Sequence, residues 1–152
     1  MAGPEDEFAA FYTTAEPRLR RALVAAYGVE RGLEATAEAL VYAWKNWDEI
    51  STMTNAMGYL YRVGQSRSRE KKTPAMFPAE VAERMPWIEP GLPRALELLS
   101  ERERLAVVLI ESYGWTYREV ADVAGLSASS VQSYLRRGLQ KLRESLGVTQ
   151  DA

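Results

Sequence analysis

With 152 residues, 47% of them hydrophobic and none of them cysteine or histidine, the chain has material for one domain or two small ones and can form no disulfide. The same absences exclude zinc sites of the Cys/His type and catalytic triads that need His or Cys. Nineteen Lys/Arg against 21 Asp/Glu leave a net charge of −2, which excludes a strongly basic, non-specific nucleic-acid coat. Leu, Ala, Arg and Glu dominate and alternating β-branched runs are missing, so the expected fold class is all-α. The first residues, MAGPEDEF, are acidic and polar instead of basic then apolar, and no apolar run nears the ~20 residues needed to span a bilayer. A cytoplasmic protein without membrane insertion is the expectation.

In chain order, Phe8, Phe11 and Tyr12 predict a short helix with one apolar face. Pro17 suits the first turn of a second helix, which Gly28 ends after Tyr27. A helix over 33–47 follows, with Leu33, Ala37, Leu40, Val41 and Trp44 at helical spacing. Residues 48–54 read as a polar loop. From Asn55 a long helix carries Met57, Tyr59, Leu60, Tyr61 and Val63, then turns basic at Arg62, Arg67, Arg69, Lys71 and Lys72. That basic stretch has two readings. It is a solvated helix end whose cations favour the helix dipole, or a groove for unstacked bases. Trp44, Trp47, Tyr59 and Tyr61 read as core, because large aromatic side chains usually bury.

Residues 73–93 hold five of the seven prolines (Pro74, Pro78, Pro86, Pro90 and Pro93) and read as a tether, with room for a helical turn near 79–84. Charge is balanced on either side of it, and the acidic excess lies within it. Beyond it, 92–99 is amphipathic. Ser100 and Glu103 have capping-box spacing ahead of an apolar helix over 105–113, which Gly114 ends. Thr116 and Glu119 repeat that spacing before a helix, a glycine turn at Gly125 and a second helix capped by Ser127. Val120, Ala124, Leu126, Val131 and Tyr134 are the positions that pack these two helices, and Ala121 is small where they approach. The pattern is that of a helix-turn-helix, whose second helix enters the major groove by its N-terminal end. Two amphipathic helices joined by glycine also occur as purely structural pairs. Small residues at Ala121 and Gly125, polar groups at the start of the second helix, and Arg136, Arg137, Lys141 and Arg143 after them favour nucleic-acid binding.

A helical half ending in a basic aromatic helix, a tether, then a half ending in a helix-turn-helix resembles a bacterial RNA polymerase sigma factor of the extracytoplasmic-function class. The resemblance covers nearly the whole chain. It is strongest over LPRALELLSERERLAVVLIESYGWTYREVADVAGLSASSVQSYLRRGLQKLRESL and weaker, but in order, over FAAFY, ALVYAWKNW and YLYRVGQSRSREKK. It implies two small helical domains: a region 2-like unit over 1–72 and a region 4-like unit over 94–148, joined by the linker 73–93. It implies a protein that is not an enzyme and needs no cofactor or metal, and whose partners are core RNA polymerase (β′ clamp helices and β flap), promoter DNA and an anti-sigma protein.

Residue by residue, the resemblance places Glu34 and Glu38 on the polymerase-binding helix. Asn55 and the loop before it would capture a flipped base of the minus-ten element, with Arg62, Gln65, Ser66 and Arg69 along strand-separated DNA. Ser127, Ser129, Ser130, Gln132, Ser133 and Arg136 would face the minus-thirty-five element, with Gln132 and Arg136 as base readers. Arg118, Arg137 and Lys141 would hold phosphates. The chain departs from the family where Ala-Glu-Asp and a following Gln are usual: it has Gly32, Leu33, Glu34 and Ala37. Gly64, Gln65 and Ser66 likewise stand in place of Ala-Arg-Asn. These departures keep open a sigma-like regulator that binds DNA or a protein partner without initiating transcription.

Overall fold

The computed structural model describes residues 3–68 and 89–147, and its regular elements are all helical. Arg69, Lys71, Lys72, the turn near 79–84 and most of the expected tether lie outside the described residues. Helix α1 runs unbroken over Pro4–Tyr27, with Pro4 at its start and Pro17 inside it. The expectation of two helices divided at Pro17 is therefore corrected. Proline removes one intrahelical hydrogen bond. The N-terminal turns are instead held from outside, by Phe8 against Trp44 and Trp47 (ring centroids 5.1 and 5.3 Å) and by Phe11 against Trp47 (5.2 Å).

Helix α2 (Val29–Lys45) lies along α1 with a contact face of small residues, among them Gly32, Ala35, Thr36, Ala39 and Ala43. A Cβ on Gly32 would stand 2.4 Å from the Cα of Val24, so the crossing is set by backbone against backbone. The core-facing residues are thus not the apolar series at 33, 37, 41 and 44. Those four side chains are exposed, and of that series only Leu40 is buried. The expectation that Trp44 belongs to the core fails for this reason, whereas Tyr61 is buried and Trp47 and Tyr59 are partly so.

A short helix, α3 (Trp47–Ile50), occupies part of the segment expected to be a polar loop, because Ile50 is buried and pins it. Helix α4 (Ala56–Ser68) begins where the Asn55 side chain accepts a hydrogen bond from the Gly58 N–H at 3.0 Å, an N-cap interaction.

The second group opens with α5 (Leu92–Glu97), whose start falls inside the segment expected as linker. Pro93 lies in its first turn, where a missing N–H costs nothing. Helix α6 (Glu101–Val107) has a complete capping box between Ser100 and Glu103, then widens into a π-helical turn over Val108–Ser112 where a continued α-helix was expected. Helix α7 (Tyr117–Ala124) has its own capping box from Thr116 and Glu119. Gly125 takes φ 70°, the left-handed region that favours glycine, and turns the chain into α8 (Ala128–Ser145). The α7–α8 pair buries Val120, Ala121, Val123, Val131 and Leu135.

The two groups touch. Arg104 is buried, and its guanidinium donates to three carbonyls: Ala26 at the end of α1 (Nε, 3.0 Å), and Leu99 (2.8 Å) and Leu96 (3.3 Å) at the end of α5. One cation thereby serves carbonyls at two helix C-termini. Burial holds this guanidinium below its ordinary pKa, with Glu101 the largest opposing influence. Replacing Gly32 by Ala is expected to destabilise the fold by about 2 kcal/mol or more through overpacking at a backbone crossing; the midpoint of urea unfolding checks it, and an unchanged midpoint would refute the close approach.

Candidate nucleic-acid interface

The α7–Gly125–α8 unit presents the N-terminal end of α8 to solvent. Ser127 accepts from the Ser130 N–H at 3.1 Å, and its hydroxyl donates to the Ser130 hydroxyl at 2.8 Å with Ser129 at 3.2 Å. These three serines are knitted into the helix cap. Gln132 and Arg136, one turn apart on α8, are exposed, and among the described residues neither side chain has a hydrogen bond or ion pair. A bidentate amide or guanidinium projecting from that position suits a base edge in the major groove. Ser133 is half-buried; its backbone carbonyl accepts from the Arg137 Nε at 3.5 Å. Arg118 is exposed on α7.

Lys141 is differently placed from a free phosphate contact. Its ammonium meets the buried Glu103 carboxylate at 2.8 Å. Burial pushes the Glu103 pKa up, but the hydrogen bond from Lys141 and those at Ser100 outweigh it, leaving the carboxyl below its ordinary value of 4.5. Lys141 therefore anchors α8 to the start of α6.

Sequence reasoning missed Arg102. It is exposed on α6, donates to the Tyr134 hydroxyl at 3.1 Å and lies 5.7 Å from that ring; Arg137 stacks on the same ring at 4.7 Å. Two guanidinium groups thus meet at one tyrosine of α8. The Arg102 hydrogen bond lowers the Tyr134 phenol pKa and raises that of the arginine. No local pattern marked this residue, because Tyr134 lies 32 positions away.

In the first group, Phe11, Trp47, Met53, Thr54, Asn55 and Met57 are among the residues lining an open cavity of about 300 Å³ at the loop before α4. The Asn55 amide reaches out of it to the Asp122 carbonyl of α7 at 2.8 Å. Gln65 donates to Glu101 at 2.7 Å, Arg62 is exposed with its guanidinium 6.0 Å from the Tyr59 ring, and Ser66 is exposed. Asn55, Arg62 and Gln65 thus share the side of α4 that faces the second group. Arg69 lies outside the described residues.

On α2, Glu34 pairs with Arg31 at 3.0 Å and Glu38 approaches Arg67 at 3.9 Å. Beside them Leu33, Val41 and Trp44 are 47%, 52% and 45% exposed, and with Ala37 they form a continuous apolar stripe. The described residues contain no group of three or more His, Cys, Asp or Glu able to hold a metal, and no described helix is long and apolar enough to cross a membrane.

This geometry is that of a helix-turn-helix carried on a helical platform. Residues 91–142 match the family model for sigma-70, region 4. RNA polymerase sigma factor CarQ of Myxococcus xanthus is 40% identical over 53 residues, 35% of this chain; the match spans only 30% of CarQ. Two solved structures share the fold across almost the whole chain. The sigma factor RpoE, in a co-crystal with the anti-sigma factor NepR from Bartonella quintana, covers 95% of this chain and is itself covered to 99%, with a TM-score of 0.60 and 20% identity. CnrH, in complex with the cytosolic domain of CnrY, covers 96% and is covered to 91%, with a TM-score of 0.66 and 21% identity.

The Glu103–Lys141 pair sets a pH dependence. A carboxyl with a lowered folded pKa contributes stability that is present above its unfolded pKa and is lost as pH falls through the folded value. The native chain should lose stability as pH drops below about 4.5, and Glu103→Gln should flatten that acid limb while lowering stability near neutrality. Thermal unfolding of both proteins across a window of about pH 3–7 checks this.

Proposed function

We propose that this protein is a sigma factor of the extracytoplasmic-function class, which binds core RNA polymerase and directs promoter-specific initiation. The observation that carries the reading is the pairing of two surfaces on one chain. One is a region 4 helix-turn-helix with Gln132 and Arg136 free on α8; the other is an exposed apolar stripe on α2 flanked by Glu34 and Glu38. The polymerase supplies the chemistry of RNA synthesis, and this chain supplies recognition.

In this reading Gln132 and Arg136 read bases of the minus-thirty-five element, while Arg118, Arg137 and Arg102 hold phosphates. Lys141 serves structure more than DNA. The 300 Å³ cavity beside Trp47 and Asn55 takes a flipped base of the minus-ten element, and Arg62, Gln65 and Ser66 follow the melted strand. The region 2-like unit spans 1–72, the region 4-like unit 94–148, and 73–93 links them. The α2 stripe docks on the β′ clamp helices and the second unit on the β flap. An anti-sigma protein is a further partner, since the fold relative RpoE was crystallised with one.

The deciding experiment is co-elution of the purified chain with core bacterial RNA polymerase, followed by mapping of transcript starts on genomic fragments. A stable complex with discrete starts is expected; a folded chain that never joins polymerase would sink the proposal in favour of a sigma-like regulator. Val41→Glu should abolish that complex while leaving helical content intact, because it places a charge in the middle of the stripe. Arg136→Ala should cost about 1–3 kcal/mol of promoter discrimination without weakening polymerase binding. Arg102→Ala should weaken DNA binding uniformly and reduce its salt slope by about 1. Filter binding across salt concentrations separates these two arginine phenotypes.

A further inference from the structure

The α1–α2 hairpin gathers most of the large apolar side chains that the fold leaves outside. Of the eight exposed among the described residues, Val29, Leu33, Val41 and Trp44 stand on α2, and Tyr12 and Tyr113 flank its two ends. Tyr12 adjoins Trp44 through Phe8, whose ring lies 6.3 Å from the phenol ring and 5.1 Å from the indole. At the other end Val24, Val29, Leu33 and Tyr113 line an open cavity of about 290 Å³, with Arg20 and Arg21 at its rim.

These two ends are complementary. The first carries aromatic rings beside the acidic opening turn of α1, Glu5, Asp6 and Glu7. Glu5, Phe8 and Tyr12 follow at i, i+3 and i+7, which puts them on one helical face. The second is a recess with an arginine rim, where Arg21 lies 4.9 Å from the Tyr113 ring and Arg20 pairs with Glu16 at 3.1 Å. Along α2 itself Glu30 and Glu34 lie toward the recess and Lys45 lies at the aromatic end. Midway stands Ala37, exposed and too small to hold two helices apart. Glu38, close to it, approaches Arg67 at 3.9 Å, which offsets repulsion between two copies of that carboxylate.

A surface with such ends fits itself after a half-turn. We propose that two copies of this chain pair antiparallel through α2, about a two-fold axis near Ala37, each placing Trp44 and Tyr12 at the other's cavity. The contact is isologous, so each favourable pair occurs twice. The indole of one copy meets the arginine rim of the other in a cation–π arrangement, and the acidic turn of α1 meets the same rim. Lys45 falls between Glu30 and Glu34 of its counterpart. A contact built on one helix pair belongs with weak interfaces, below ~1,200 Å². It covers the stripe assigned above to the β′ clamp helices, so dimer and polymerase compete for one face. That competition rests on the sigma-factor reading; the pairing itself does not.

Sedimentation equilibrium from about 1 to 100 µM, a range that spans weak association, should show a mass rising from the 17.1 kDa of one chain toward twice that value. Lys45→Glu should weaken the dimer about tenfold by setting like charges together, and Glu30→Lys added to it should recover most of the loss. Val41→Glu should leave a folded monomer. The chain has no cysteine, so Ala37→Cys supplies a single thiol near the axis, and mild oxidation should link two copies. Thr14→Cys, exposed on α1 but away from the Phe8–Tyr12 face, should stay unlinked. The linked Ala37→Cys dimer should fail to co-elute with core polymerase and should regain binding on reduction. A monomer at every concentration, or a dimer that survives both Val41→Glu and Lys45→Glu, would overturn the pairing. A linked dimer that still joins polymerase would overturn the competition and leave the pairing standing. If the reduced, folded protein never joins polymerase while the natural chain still dimerises, the sigma-factor reading falls and the pairing stands without it.

Discussion

The Arg104 guanidinium sits among the carbonyl ends of α1 and α5, donating to Ala26, Leu96 and Leu99 from a buried position. Helix C-termini leave carbonyls without intrahelical donors, and a charged donor at that end also meets the favourable end of the dipole. Because one side chain serves both termini, the direction of α1 and the direction of α6, which carries Arg104, are tied together. Glu103, the next residue back, faces the other way and holds Lys141 of α8. Adjacent residues of one helix thus link α1 to α8, and the placement of α8 follows from that short stretch of α6.

The exposed face of the helix-turn-helix divides its labour in a way that residue type alone does not indicate. Serines crowd the start of α8, yet Ser127, Ser129 and Ser130 bond to one another and to the helix N-terminus. Their hydroxyls build the cap, which frees longer side chains further along to reach outward. Cations divide similarly: Lys141 neutralises a buried carboxylate, Arg137 lies on Tyr134, and Arg136 projects unengaged. Arg102 joins the same surface from a different helix, so the basic face of this unit is assembled by packing and not by a charge run.

Helix α2 shows what a small-residue crossing does to an amphipathic pattern. Gly32, Ala35, Ala39 and Ala43 let the α1 and α2 backbones approach, and that contact uses the face with the least hydrophobic bulk. The larger side chains Leu33, Val41 and Trp44 are left outside. An exposed apolar stripe of that length on a folded protein is a mark of a partner surface. Its cost in solubility makes sense if a partner covers it.

Local chemistry was legible in the sequence. Both capping boxes, the Ser127 cap and the left-handed Gly125 form as their spacing requires, because each depends on groups within four residues of one another, and they frame the helix-turn-helix. Tertiary contact decided the rest. Pro17 stays inside a helix because aromatic residues from α2 and α3 hold the turns before it, and 47–50 is helical because Ile50 finds a core. The apolar series on α2 faces outward because backbone proximity, which periodicity does not encode, chose the opposite side. Arg102 reaches Tyr134, and Asn55 reaches Asp122, across 32 and 67 residues of chain. Sequence determined where helices begin, end and turn; only the folded chain decided which faces meet, because that choice depends on shape complementarity between segments far apart in sequence.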